Sequence, residues 1–195
     1  MLDGVDVSSH NPEYEAKGLD FVFIKATEGT SYTNPRRDEQ AKTARRARCV
    51  VGFYHFLKPG RGLRPARITA QAKHFVKHCQ ARDGDILALD WETDPQGRRA
   101  TSAQKDKFLR KVKELRPEHR IVLYCNRDLW TDPGTGDHTG DGLWIADYRK
   151  AGEPRVKDDD WLFHQYTSTP LDKNVGRFPS RAALKRWATF QSDGE

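Results

Sequence analysis

The segment ILALDWE, residues 86–92, ends an apolar run in two carboxylates separated by one tryptophan. In an extended strand alternate side chains share a face. Asp90 and Glu92 therefore project together, about 6–7 Å apart along the backbone, while Leu87, Leu89 and Trp91 project the other way. Two acids held that close repel each other, and partial burial disfavours a second negative charge, so one is expected to keep its proton toward neutral pH. A protonated carboxyl beside an ionised one can deliver a proton to a leaving oxygen and stabilise positive charge developing next to it. Such a pair titrates as a unit rather than as two separate groups. An isolated D-x-E reads first as a solvated strand end, so the rest of the chain must supply a cleft.

The elements that would position the pair are eight short apolar segments: 2–8, 20–26, 49–57, 85–92, 120–126, 143–148, 161–167 and, more weakly, 170–175. Several are continuous Val/Ile/Leu/Phe runs, the pattern of parallel strands covered on both faces. Helical segments separate the early ones. Residues 34–47 open with Asn34 as N-cap and Pro35 at the first helical position. Residues 64–80 place Ile68, Ala72, Phe75, Val76 and Cys79 on one stripe. Residues 101–117 begin with a capping box, Thr101 to Gln104, and 180–190 form a last amphipathic helix. Strand–helix alternation implies right-handed βαβ units. Eight strands with fewer than eight helices predict an α/β fold, an irregular TIM-like barrel; a doubly wound open sheet is the alternative.

In parallel barrels chemistry collects at the C-terminal strand ends. Those ends carry Asp6, Lys25 to Glu28, Tyr54, His55, Asp90, Glu92, Tyr124, Asn126, Asp147, Tyr148, Gln165, Tyr166 and Asp172. Acids, amides that grip hydroxyls and rings that stack on sugar faces describe a carbohydrate site. Glycoside cleavage needs one carboxylic acid for the leaving oxygen and a second group to stabilise or capture the positive sugar carbon. Asp90 and Glu92 would supply both.

Composition narrows the classes further. With 34 Lys and Arg against 28 Asp and Glu, the chain carries a formal charge of +6. The basic clusters 35–37, 45–49 and 58–67 match no nucleic-acid signature and are interspersed with acids, so nucleic acid is not an expected partner. A solvated helix face accounts for them, with a mild field for an anionic wall polymer as the next reading. No run approaches the roughly 18 apolar residues of a membrane span. Cys49, Cys79 and Cys125 are odd in number and widely spaced, which suggests buried thiols. No Gly-rich phosphate loop and no G-x-S-x-G elbow occurs. His74 and His78 lack a third ligand, the acidic stretches at 132–142 and 158–160 match no EF-hand, and Cys125 with His164 forms no nucleophile motif. No metal or cofactor is expected.

The segments GVDVSSHNP (4–12), FVFIKATEGTSYTNP (21–35), GFYHF (52–56), LALDWE (87–92), LWIADY (143–148) and HQYTSTPLDKNVGRF (164–178) resemble, in order, glycoside hydrolase family 25. These are the lysozymes of the Chalaropsis type, common among phage endolysins. The resemblance implies an irregular barrel of eight strands and about five helices, and hydrolysis of the β-1,4 bond between N-acetylmuramic acid and N-acetylglucosamine. By motif, Glu92 would be the general acid and Asp90 its partner, with Asp6 and Asp172 completing an acidic floor. Tyr54, His55, Tyr124, Trp144, Tyr148 and Gln165 would contact the glycan. One departure stands out: the family's D-x-N-x-F is met by Asp172 and Asn174, but Phe178 comes two residues late.

The acetamido oxygen of the muramyl sugar can attack its own anomeric carbon, so a retaining, substrate-assisted route with Asp90 orienting that group is the favoured expectation. An inverting route with Asp90 activating water stays open. Further expectations are one catalytic domain over 1–190, a polar tail at 191–195, no separate wall-binding module, a monomer and no membrane insertion. With no signal peptide ahead of the first strand, the protein would be made in a host cytoplasm and act on the wall after release, as a phage endolysin does. A chitinase-like glycosidase is disfavoured by Ala88, where that signature carries Asp. A catalytically inactive carbohydrate-binding barrel is the alternative of another class.

Overall fold

The structure, a computed structural model, describes residues 1–59, 64–157 and 161–189. The strands are β1 (Leu2–Val7), β2 (Phe21–Glu28), β3 (Tyr32–Thr33), β4 (Val50–Phe56), β5 (Ile86–Asp90), β6 (Ile121–Asn126), β7 (Gly142–Ala146), β8 (Phe163–Thr167) and β9 (Lys173–Gly176). The helices among the described residues are α1 (Arg37–Arg46), α2 (Pro65–His78), α3 (Ser102–Leu115), α4 (Arg127–Trp130) and α5 (Arg181–Ala188). Eight strands run in the order β1-β9-β8-β7-β6-β5-β4-β2, and the β1–β2 pairing closes the ring. β3 forms a two-residue antiparallel flap on β2 outside it. The irregular eight-stranded barrel with five helices is thus the observed fold, and the open sheet is excluded by the closing pair.

The ring is mixed rather than wholly parallel. β9 runs antiparallel to both β8 and β1. Residues 168–172 are all that join β8 to β9, far fewer than the dozen or so needed to return a chain to a parallel start. The strand must double back.

Alternation along each strand divides the apolar residues into two layers. Val22, Ile24, Val51, Phe53, Leu87, Leu89, Leu123 and Ile145 face outward and pack against α1, α2 and α3. Phe21, Phe23, Val50, Tyr54, Ile86, Ala88, Val122, Tyr124, Trp144 and Phe163 face inward and fill the barrel. The interior is an aromatic stack: Phe23 lies 4.2 Å from Trp144 centroid to centroid, and Phe163 meets both Phe21 and Phe23 at 5.1 Å. Glycine makes room for it. A Cβ on Gly52 would sit 2.3 Å from the Phe23 ring, and one on Gly4 would sit 2.4 Å from Phe21. Leu184 and Ala188 of α5 join this interior cluster, so α5 closes the N-terminal end of the barrel.

The late Phe178 finds its explanation there. Gly176 occupies the interior position where the family's phenylalanine is expected, 3.1 Å (for a Cβ) from Phe21 and 3.4 Å from Phe163. Phe178 packs on Phe163 and Trp187 instead, 5.7 and 5.5 Å between centroids. The ring volume is kept, supplied from two residues further on.

Local signals held unevenly. Thr101 and Gln104 form the full capping box on α3, each side chain bonding the other's backbone N–H. Asn34 does not cap α1, which begins at Arg37 behind Arg36. Its side chain instead accepts from Arg36 N–H at 2.9 Å and donates to the Lys25 carbonyl at 2.8 Å, tying the turn to β2. The short α4, capped by the Asn126 side chain, and the flap β3 carry too few residues for periodicity to reveal them.

Candidate active site

The C-terminal end of the barrel opens into a cleft of about 540 Å³. β5 ends at Asp90, but the pairing persists one residue further: Trp91 N–H donates to the Tyr124 carbonyl at 2.9 Å. Trp91 is turned outward and buried, its indole N–H donating to the Ala100 carbonyl at 2.7 Å. The Arg99 guanidinium and Lys105 ammonium lie 5.1 and 5.6 Å from its ring. With Trp91 anchored outward, Asp90 and Glu92 both face the cleft and hydrogen-bond each other. Asp90 is buried at the floor; Glu92 is half-buried above it. Asp90 Oδ1 has no hydrogen-bond partner among the described residues.

Burial, then the charge of Glu92, pushes Asp90 well above the ordinary carboxylate range; Lys25 opposes this without overcoming it. Glu92 is raised too, by burial first, against the Asp90 hydrogen bond and the Lys25 charge. Both members resist ionisation, so the pair holds a proton above the pH at which a free carboxyl would lose it.

A second pair of acids lies across the floor. Asp6, at the inward position of β1, accepts through Oδ2 from Gln165 Nε2 at 2.8 Å and Asn174 Nδ2 at 2.7 Å. Its backbone N–H donates to the Asp172 carbonyl at 3.1 Å. Burial and the Asp172 charge raise Asp6 to about 8, despite the two amide donors. Burial also raises Asp172. The amides are themselves fixed: Gln165 Oε1 accepts from Tyr124 at 2.9 Å and Tyr148 at 3.2 Å, and Asn174 Oδ1 accepts from Trp144 Nε1 at 2.7 Å. One hydrogen-bonded chain therefore runs from the cleft aromatics to Asp6.

Most expected site residues meet in this cleft. Tyr54, Tyr124, Trp144 and Gln165 line its wall and floor, and Tyr148, 59% exposed, stands at the rim. Trp144 is reached only at its edge, being 1% exposed and stacked on Phe23.

His55 is a correction. Because Tyr54 points into the barrel, its neighbour on β4 must point out. The His55 ring is fully buried against Phe108 at 4.9 Å, with Nδ1 2.7 Å from Thr27 Oγ1 and Nε2 3.2 Å from Gln71 Oε1. Burial pushes it down to about 3, so it is a neutral core histidine with no access to the cleft.

Lys25 and Glu28, named among the strand-end polar residues but given no role there, line the cleft, as do Ser8, Phe56, Thr93 and Pro95. Lys25 Nζ contacts Glu28 at 2.9 Å, and Lys58 Nζ contacts the other Glu28 oxygen at 3.0 Å. Burial alone would raise Glu28, but the two lysines bring it below its ordinary value. The parity of β2, with Phe21 and Phe23 inward, was the available signal for Lys25.

The other chemistry-bearing groups are occupied elsewhere. His74 Nε2 lies 3.0 Å from the Tyr32 carbonyl. Among the described residues no three His, Cys, Asp or Glu side chains form a group that could hold a metal. Residues 158–160 and the tail at 191–195 lie outside the described residues. The Asp141 carboxylate is taken up by Ile121 N–H, Lys113 and Arg120. All three cysteines are free and buried. Burial raises the Cys125 thiol to about 12, and His164 is held by the Asp147 carbonyl at 2.7 Å.

Residues 5–175 match the model of Glycosyl hydrolases family 25. The N,O-diacetylmuramidase of Chalaropsis sp is 36% identical over 148 residues, covering 67% of this chain and 68% of that protein. Lysozyme M1 of Streptomyces globisporus is 26% identical over 188 residues, covering 86% of this chain but 62% of that protein. The chain thus spans roughly two thirds of the length of these curated relatives. Among solved structures, the muramidase of Acremonium alcalophilum superposes with a TM-score of 0.77 at 25% identity, over 95% of this chain and 100% of the other. A family GH25 lysozyme from Aspergillus fumigatus shares the fold, with a TM-score of 0.80 at 23% identity over 97% and 99%. A match that begins at Val5 beside Asp6 and ends at Val175 beside Asn174 takes in the whole acidic cleft, and the chain belongs to glycosyl hydrolase family 25.

Proposed function

We propose that the protein is a lysozyme that hydrolyses the β-1,4 bond between N-acetylmuramic acid and N-acetylglucosamine in peptidoglycan. The carrying observation is the hydrogen-bonded Asp90–Glu92 pair, buried enough to keep a proton and open to a groove on the Glu92 side. Glu92, the less buried member, delivers that proton to the bridging oxygen as the bond to the anomeric carbon breaks. General acid assistance of this kind is worth roughly 10²–10⁴ in rate. In the free cleft Asp90 is the more strongly raised of the two, so it passes the shared proton to Glu92, and the carboxylate left behind faces the sugar carbon that becomes positive.

The finer reading is retention through the substrate. The 2-acetamido oxygen of the muramyl sugar bonds to the anomeric carbon as the leaving oxygen departs with the Glu92 proton. Asp90 orients the acetamido N–H and offsets the charge of the cyclic intermediate. Water then opens that intermediate, returning its proton to Glu92. The half-buried Asp172 and the raised Asp6 across the floor support the reading by keeping that side of the groove polar without a full set of negative charges.

The test is digestion of a defined peptidoglycan with mass analysis of the fragments. Reducing ends on muramic acid support the proposal. Reducing ends on glucosamine, or cleavage of soluble chitin oligomers alone, would overturn it. The anomer first formed, read by NMR, decides retention against inversion. We further propose that the enzyme serves as a phage endolysin. Its production inside a bacterium should lyse the cell only when a membrane pore is opened, and lysis without one would refute that role.

A further inference from the structure

We propose that the end of the barrel opposite the cleft carries a second binding site, for an anionic polyol-phosphate polymer of the bacterial wall. The inference rests on the wall as substrate. Two hollows, of about 560 and 350 Å³, adjoin there and share Arg45. One lies between α1 and the end of α2, the other at the start of β4, and Lys42, Arg45, Arg46, Arg48, Arg82 and Lys185 line them. The acids in the same walls are Asp38, Asp83 and Asp85. Asp38 is paired with Arg37 at 2.7 Å and Asp85 with Arg45 at 2.6 Å. Among the described residues, Lys42, Arg46, Arg48, Arg82 and Lys185 have no carboxylate within ion-pair distance. A cluster of unpaired cations around two concave surfaces focuses field outward and attracts a polyanion.

The backbone adds an independent observation. Among the described residues, Arg48 and Gln80 are the non-glycine residues with positive φ, at 63° and 52°, and each lines one hollow. Arg48 closes α1 in the C-terminal motif in which its N–H reaches Arg45 O and Cys49 N–H reaches Ala44 O. That position favours glycine, and an L side chain there is strained. Arg48 thus carries a long cation at a position where glycine would fit without strain.

The wall as substrate, with no exposed rings or apolar side chains at these hollows among the described residues, favours a wall polymer among polyanions. Single-stranded nucleic acid adds stacking on exposed rings to its phosphate contacts, and interfacial membrane binding adds apolar side chains inserted among the lipids to the attraction of anionic headgroups for cations. The large hydrophobics exposed among the described residues are Met1 and Tyr148, and neither lines these hollows. Spaced phosphates on a flexible polyol need only cations and concavity. Such a polymer bound at this end leaves the opposite cleft free for the glycan.

The experiment compares the full chain with a triple variant, Lys42→Gln, Arg46→Gln and Arg48→Gly. A control removes three cations elsewhere: Lys107→Gln, Arg110→Gln and Lys150→Gln. Binding is measured to purified polyglycerol phosphate, and to walls before and after chemical removal of such polymer. Turnover is measured on soluble polymer-free peptidoglycan fragments. We expect the triple variant to lose at least tenfold in affinity for the polymer and for intact walls. On stripped walls it should change less than twofold, with turnover on fragments unchanged; the control should stay within threefold throughout. Equal losses in variant and control would mean net charge alone, and would overturn the site. Wild-type binding to a polynucleotide or to phosphatidylglycerol vesicles as tight as to the polymer would overturn it as well, as would no binding to the polymer. Absence of turnover by every form would refute the muramidase reading and leave the polymer measurement standing.

Discussion

The two ends of the barrel handle charge in opposite ways. At the C-terminal end, Asp6, Asp90, Glu92 and Asp172 crowd one cleft, and burial raises all four toward the protonated state. At the other end, Lys42, Arg46, Arg48 and Arg82 are exposed to water. Strands place Asp6 and Asp90, whereas α1 and the segments after α1 and α2 place the cations. The difference is depth: a carboxyl inside the barrel mouth loses hydration and holds its proton, whereas a cation on a helix end keeps its hydration and is felt at a distance. In the roles proposed above, one end serves proton transfer and the other attraction.

The largest break in that contrast is at Glu92. Glu92→Gln should fold normally yet lower turnover by about 10³-fold, as expected for a general acid, measured by release of reducing ends. In the wild type the alkaline limb of the rate profile should fall above the ordinary carboxylate range, because loss of the shared proton ends the reaction. A profile declining from pH 4 upward would contradict this.

Asp6 tests the burial argument by stability. Its carboxyl, at about 8 in the fold against 3.8 for an unperturbed aspartate, binds more protons folded than unfolded. Stability from this group is therefore full below about pH 4 and is lost as pH rises to about 8. Asp6→Asn, which imitates the protonated form, should melt with the wild type near pH 4. Above pH 8 it should melt several degrees higher, an effect of a few kcal/mol at most. Equal melting at both pH values would show that burial does not hold the proton.

Gly52→Ala sharpens the comparison from the barrel's interior, since its Cβ would meet Phe23 at 2.3 Å. Overpacking of this kind costs about 1–3 kcal/mol. Because Phe23 stacks on Trp144 beneath the cleft, urea melts should show the loss together with reduced turnover. The smallest effect belongs to the basic end. Arg48→Gly should stabilise the protein by about 0.5 kcal/mol through relief of left-handed strain. A destabilised variant would argue that the arginine is there for packing.

Sequence reading reached the cleft because strand parity is local. Asp90 and Glu92 sharing a face, Tyr54 inward and Trp91 outward all follow from alternation. The same rule turns His55 away from the glycan, since it is the neighbour of the inward Tyr54 on β4. Lys25 shares the inward parity of Phe21 and Phe23, but its pairing with Glu28, shared with Lys58, depends on packing that parity does not carry. The interaction of Asp6 with Gln165 and Asn174, more than 150 positions apart in sequence, was beyond any local signal.

Periodicity and capping chemistry are written in the chain itself, so the residues alone determined eight strands, the α3 capping box and an acid pair on one face. Closure of the ring by β1 on β2, the reversal of β9, and the burial that raises Asp6 and Asp90 came only with the tertiary structure. Hydrogen bonds within a segment depend on neighbours a few residues away. Desolvation depends on everything packed around a carboxyl, and that is known only once the barrel has closed.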